Sequence, residues 1–250
     1  MLSQRIRRFS TAAALLIALG ILAASGLRHE TQQRLTRQLQ REFNAQPPRV
    51  EVLRRLLDGG ADPRAVSSTR KNLVMTAAEI NAPDLVNRAL NAGLDVNDRD
   101  TFGNSALEYA INAAQDRPEP TAVVKSLLDR GADLNGITMA YGGPLFTAAA
   151  NGEVDVIKLL VAAGAEVNQQ DHRGYTALYH AALAGKAETV ATLLTLGADP
   201  FIRAKDGRTA AEETRLSCAA HLKSLRQTKA PHQDLMAAER PCRAVLQLLH

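Results

Sequence analysis

Six histidines and two cysteines are the side chains with most chemistry to offer in this 250-residue chain. Their spacing offers little. His29, His172, His180, His221, His232 and His250 include no pair three or four apart, so no helix presents two imidazoles to one metal ion. The sequence has no Cys-x-x-Cys, no phosphate-cradling glycine loop and no Gly-x-Ser-x-Gly elbow. Gly103-Asn104-Ser105 lacks the second glycine, which leaves Ser105 a structural role. Acidic residues recur in Gly-containing loops, where carboxylates cap turns more often than they form acid–base pairs. No cofactor and no metal are expected, and the chain reads as non-enzymatic. An exported enzyme or redox-protective helper, built around His172, His180 and the cysteines, is the competing reading. Cys218 and Cys242 lie 24 residues apart across Pro231 and Pro241. Either they clip two terminal helices through a disulfide or they remain two partly buried thiols.

The elements that must position these residues begin with a basic, then apolar, N-terminus. Arg5, Arg7 and Arg8 precede a run from Phe9 to Leu27 interrupted only by small residues. That order is the pattern of an export signal or signal anchor. The run has nineteen residues, near the roughly 20 that cross a bilayer as a helix. Residues 1–27 are thus expected to stay as an inner-membrane anchor, with the alternative of cleavage after Ala24 or Ser25. Either way the rest of the chain lies outside the cytoplasm, in the periplasm of a bacterial host, because the leading arginines stay inside. The formal net charge is +4, with +6 on residues 1–49 and −2 on residues 50–250. The basic character belongs to the N-terminal flank, and nucleic acid is not an expected partner.

Residues 28–48 form an expected N-terminal helix and linker, with Thr31 as its cap and Leu35, Leu39 and Phe43 as its apolar stripe. Val50–Asp58 follows as a second helix that stops at Gly59-Gly60. A Gly-Ala-Asp signal, or a close variant, then recurs at Gly60, Gly93, Gly131, Gly164 and Gly197, at intervals of 33, 38, 33 and 33. Paired alanines at 77–78, 148–149 and 181–182 keep one phase, and paired leucines at 127–128, 159–160 and 193–194 keep another. A period of this size defines a solenoid of stacked helix pairs. Aromatic residues make up only 4% of the chain, which suits closely packed Ala-, Leu- and Val-lined helices.

The best unit runs Asp171, Gly174, Thr176, Ala177, Leu178, Tyr179, Ala181, Ala182, Gly185, Val190, Leu193, Leu194, Gly197, Ala198 and Asp199. This pattern resembles the ankyrin repeat over about residues 49–216. Ala177 stands in place of the family's proline and Tyr179 in place of its histidine. The resemblance implies an all-α repeat solenoid of helix-turn-helix units with hairpin-like loops, with the apolar N-terminal helix added. Residues 217–250 are expected to form a C-terminal helical cap, ending in two short helices at Asp234–Glu239 and Arg243–Leu249. The family's Thr and His steady the turn, and Tyr179 cannot copy an imidazole's contacts. A Pro-containing insert at 115–120 explains the 38-residue interval, and residues 137–143 form an apolar finger.

Function under this resemblance is protein–protein interaction, through fingertips and the exposed face of the first helices. Carried over by position, the partner-binding candidates are Asp100, Thr101, Phe102 and Asn104; Met139, Ala140 and Tyr141; His172, Arg173 and Tyr175; and Arg203 and Lys205. Exposed Phe102, Met139, Tyr141 and Tyr175 would form an aromatic and apolar contact stripe. An envelope scaffold and an immunity or inhibitor protein are the two roles an exported ankyrin protein would fill.

Overall fold

The computed structural model describes residues 28–45, 47–113, 121–136, 142–228 and 231–249. Within them every regular element is an α-helix. Helix α1 covers 28–42. It is followed by α2 (Val50–Asp58), α3 (Leu73–Glu79), α4 (Pro83–Asn91), α5 (Ala106–Ala113), α6 (Thr121–Asp129), α7 (Pro144–Asn151), α8 (Val154–Ala162), α9 (Ala177–Leu183), α10 (Ala187–Thr195), α11 (Ala210–Gln227) and α12 (His232–Leu248). These form six antiparallel pairs. Helices α3, α5, α7, α9 and α11 stack on one another as one layer, and α4, α6, α8, α10 and α12 as the other. The first layer faces the fingers, so its short helices make the floor on which a site can be built.

The sequence accounts for the short helices. Asn72, Thr176 and Thr209 each cap a first-layer helix by accepting a backbone N–H three residues on. Thr209 and Glu212 complete a reciprocal capping box. The second helix of each of the first five pairs ends at a glycine of the repeated signal, all five in the left-handed region at φ 81–101°. The paired alanines are fully buried or nearly so, which lets α3, α7 and α9 pack closely against their neighbours. The core is otherwise mostly leucine, valine and isoleucine from both layers, with Phe43, Met75, Phe146 and Tyr179 among its largest members, and it runs unbroken along the stack.

Both ends are closed. Leu39 of α1 and Phe43 just after it are fully buried, while Glu42 accepts from the backbone and guanidinium of Arg49 at the entrance to α2. Thr31 lies inside α1, which already runs from residue 28, and so does not cap it. At the other end α11 is twice the length of a typical first-layer helix and runs through residues 216–217 without a break. The expected pair of short terminal helices is instead one helix, α12, with Pro241 inside it. Pro241 lies over the turn at Gly185, where a Cβ would sit 3.3 Å from the proline ring. Docking on α10 and α11 therefore holds a helix that the proline's missing N–H weakens. Cys218 on α11 and Cys242 on α12 are joined by a disulfide, with Cα atoms 6.2 Å apart.

No helix among the described residues is long and apolar enough to cross a membrane. The apolar run at 9–27, the insert at 115–120 and residues 137–141 of the apolar finger lie outside the described residues.

Candidate functional site

Two of the fingers are tight turns built by one aspartate, and Ser67 takes the same place at 67–71 by accepting the N–H groups of Thr69 and Lys71. In the finger at 171–175, Asp171 N–H donates to Tyr175 O at 2.9 Å. The Asp171 carboxylate accepts the N–H groups of Arg173 and Tyr175 at 2.8 and 2.9 Å. Asp100 does the same for Phe102 and Asn104, both at 2.8 Å. The residue before each finger's first position clamps the turn from outside: Arg99 donates to Gly103 O, Gln170 to Gly174 O and Arg203 to Gly207 O. Neighbouring fingers are then stitched backbone to backbone. Thr101 N–H donates to Thr69 O, and Lys205 N–H to Arg173 O, both at 2.9 Å. Gly174 is required by that stitch. Its φ is +82°, and a Cβ there would fall 2.8 Å from the Lys205 nitrogen.

A second latch joins these two aspartate-built fingers to their helices. The His180 ring lies 3.1 Å, Nε2 to Oδ2, from Asp171. Tyr109 Oη donates to Asp100 Oδ2 at 2.8 Å. Both contacts span nine residues. Burial pushes the His180 imidazole below its ordinary value, further than the carboxylate of Asp171 raises it. Burial acts to raise the Asp171 carboxyl, but the N–H groups of Tyr175 and Arg173, together with His180, outweigh it and hold it low. An ionised Asp171 beside a neutral imidazole fixes Nε2–H as the donor. Burial first, and then the bond to Asp100, push the Tyr109 phenol upward.

A groove lies under the Asp171–His180 latch. A cavity of about 520 Å³ lies between α5, α7, α9 and the finger at 171–175. Phe146 and Thr147 form its floor, Asn112, Asn151 and Leu183 its walls, and His172 and Arg173 its rim. His180 meets the edges of both Phe146 and Tyr175, with ring centroids 5.6 and 5.8 Å apart. The Thr147 hydroxyl on the cavity floor donates to Gly143 O. No group of three or more metal-ligating side chains occurs among the described residues.

The structure divides the sequence-derived candidates. Thr101, His172, Arg173 and Lys205 are exposed at fingertips, and Phe102 is 66% exposed. Asp100 is buried and spent on its own turn, which removes it from any contact surface. Asn104 is half-buried, with its amide on Asp100. Arg203 is exposed but committed to Gly207 O and Glu212. Tyr175 departs from the expected exposed stripe. It is half-buried and stacked on Tyr179 at 4.1 Å, because the finger folds back on α9. Met139, Ala140 and Tyr141 lie outside the described residues. Sequence reasoning passed over His180 as a latch, and the nine-residue offset shared with Asp100 and Tyr109 was the available signal. It also passed over Arg70, an exposed fingertip residue at φ 59°, and Phe201, which is 76% exposed.

Stacked helix pairs, aspartate-built fingers and a groove over the first-layer helices define a repeat solenoid with a lateral groove. The ankyrin-repeat profile (three copies) matches residues 45–138 and 112–204, and the chain belongs to the ankyrin repeat family. No curated protein matches the chain.

Proposed function

We propose that this chain is a non-enzymatic protein-interaction module that grips its partner with the finger row and the groove below it. One observation carries the reading. The fingers are fixed to each other and to their helices through main chain, buried aspartates and latches, while Thr101, Phe102, His172, Arg173 and Lys205 remain exposed. Such a rigid frame with outward side chains loses little conformational entropy on binding. An exposed Phe102 on that frame supplies an aromatic anchor.

In this reading the module is held at the inner membrane by residues 9–27, with the ankyrin domain outside the cytoplasm; a cleaved, secreted or periplasmic form is the variant. The role is that of an envelope scaffold or an immunity or inhibitor protein. The support is the sequence order of Arg5, Arg7 and Arg8 before the apolar run.

The test is affinity capture with the full chain, repeated with Phe102→Asp and with Arg173→Glu. Each substitution is expected to reduce the retained partner at least fivefold while leaving the helical melt in place. Undiminished capture by both variants rejects this face. A topology reporter fused after His250 tests the location, and a cytoplasmic readout rejects it.

A further inference from the structure

We infer that the segment bound along this face is acidic, and that it lowers an apolar side chain into the cavity between α7 and α9. This rests on the interaction-module reading and names the chemistry of the partner. Among the described residues, most finger-side carboxylates are consumed internally, and the exposed Asp98 takes only the Asn72 amide. Asp171 holds Arg173 N–H, Tyr175 N–H and His180. Asp100 holds its own turn and Tyr109. Glu79 pairs with Lys71, Glu212 with Arg203, and Glu213 and Asp206 with Arg208.

The cations at the tips are different. Arg70, Arg173 and Lys205 are exposed, and no acidic group among the described residues pairs with any of them. Arg173 and Lys205 are brought together by the 2.9 Å backbone bond between their fingers. The rim is therefore a fixed cationic edge open to a counter-charge from outside. Below it the surface is apolar and amide-lined. Leu183 is 40% exposed beside the nearly buried Phe146 ring, with Asn112 and Asn151 across the opening.

A cationic rim over an apolar pocket fits carboxylates that straddle one Leu- or Phe-sized side chain. It fits a nucleic acid less well. Residues 50–250 carry a net −2, so a long polyanion would meet repulsion beyond the rim.

The test uses the full chain in detergent and three fluorescent twelve-residue peptides. One is Asp/Glu-rich with a central Leu, one has the same pattern with Lys for every acid, and one is Asp/Glu-rich with Ser in place of Leu. A twelve-nucleotide oligothymidylate is the fourth probe. The acidic Leu peptide is expected to bind at least tenfold more tightly than the lysine or the serine peptide. Arg173→Glu with Lys205→Glu should weaken it at least tenfold, and Leu183→Glu at least fivefold, with circular dichroism melts unchanged. Raising the salt from 50 to 300 mM should weaken it further.

Failure of the acidic Leu peptide to outbind the lysine peptide overturns the charge assignment. Indifference to the central Leu and to Leu183→Glu overturns the pocket assignment. Oligothymidylate binding as tightly, and lost in the same double variant, overturns the polypeptide assignment. If partner capture depends on Phe102 and Arg173 yet the acidic peptide fails, only this inference falls. If capture is indifferent to both, the interaction reading falls with it.

Discussion

Asp171 serves two elements at once. One carboxylate oxygen closes the finger, and the other reaches His180 on α9. This ties stability to pH with a definite sign. In the unfolded chain the imidazole gains its proton around its ordinary 6.5, whereas burial keeps the folded imidazole neutral to lower pH. The unfolded state therefore binds more protons between those two values, and stability falls as pH drops through that window. Asp171, held below its ordinary 3.8, contributes its share above that value and loses it only as pH falls through the depressed one. Urea midpoints measured from pH 7.5 to 5 should decline, and His180→Gln should flatten the decline. An equal slope in the variant would assign the effect elsewhere. The residue level was also where the sequence was least legible. The structural turn roles of the repeated aspartates could be read, because a carboxylate two residues before an N–H is a local arrangement. The His180 latch could not be read from the motif, since Tyr179 fills the position where the family places histidine. Tyr179 is buried, stacked on Tyr175, and its hydroxyl meets no partner among the described residues.

Between elements the stack is held by the loop asparagines. Asn97 donates to Gly131 O and accepts from Asp133 N–H. Two helix pairs further along, Asn168 donates to Gly197 O at 3.1 Å and accepts from Asp199 N–H at 2.8 Å. At the N-terminal end Thr36 of α1 takes the accepting half of this role by receiving Asp62 N–H at 3.0 Å. Asn168→Ala removes both bonds at one joint, and the expected cost is about 1–2 kcal/mol. In a nearest-neighbour stack that loss is local first. Hydrogen exchange should rise in α9 to α12 before it rises in α3 to α6. A uniform rise would show that the joint is not a separable unit. The period of 33 made this ladder visible in sequence as asparagines in constant phase. Thr36 carries no such periodic signal, so α1 reads as an isolated helix until its packing is seen.

At the scale of the whole molecule, the repeated glycine signals mark five units while the structure contains six helix pairs. The sixth is the long α11–α12 pair, whose ending carries no Gly-Ala-Asp and whose proline suggests a break. Periodicity reports what neighbouring repeats share, and a terminal pair has a neighbour on one side only. Its extra security is the Cys218–Cys242 bond, which closes a 24-residue span. Chain entropy gives such a closure about 3 kcal/mol. Under mild reductant, exchange protection in α12 should collapse first, with α3 to α10 retained. Unchanged protection in α12 would show that docking on α10 suffices without the bond.

The same bond changes what happens when the chain is pulled. A load applied beyond residue 249 passes along α12 only as far as Cys242 and then crosses directly to Cys218. The 23 intervening residues are bypassed and cannot lengthen. At roughly 3.5 Å of extended chain per residue, about 80 Å of slack is withheld while the bond is oxidised. The tug therefore arrives undamped at the first turns of α11, where Thr209 and Glu212 hold the capping box against the last finger. Reduction makes the tail a shock absorber; oxidation makes it a tether.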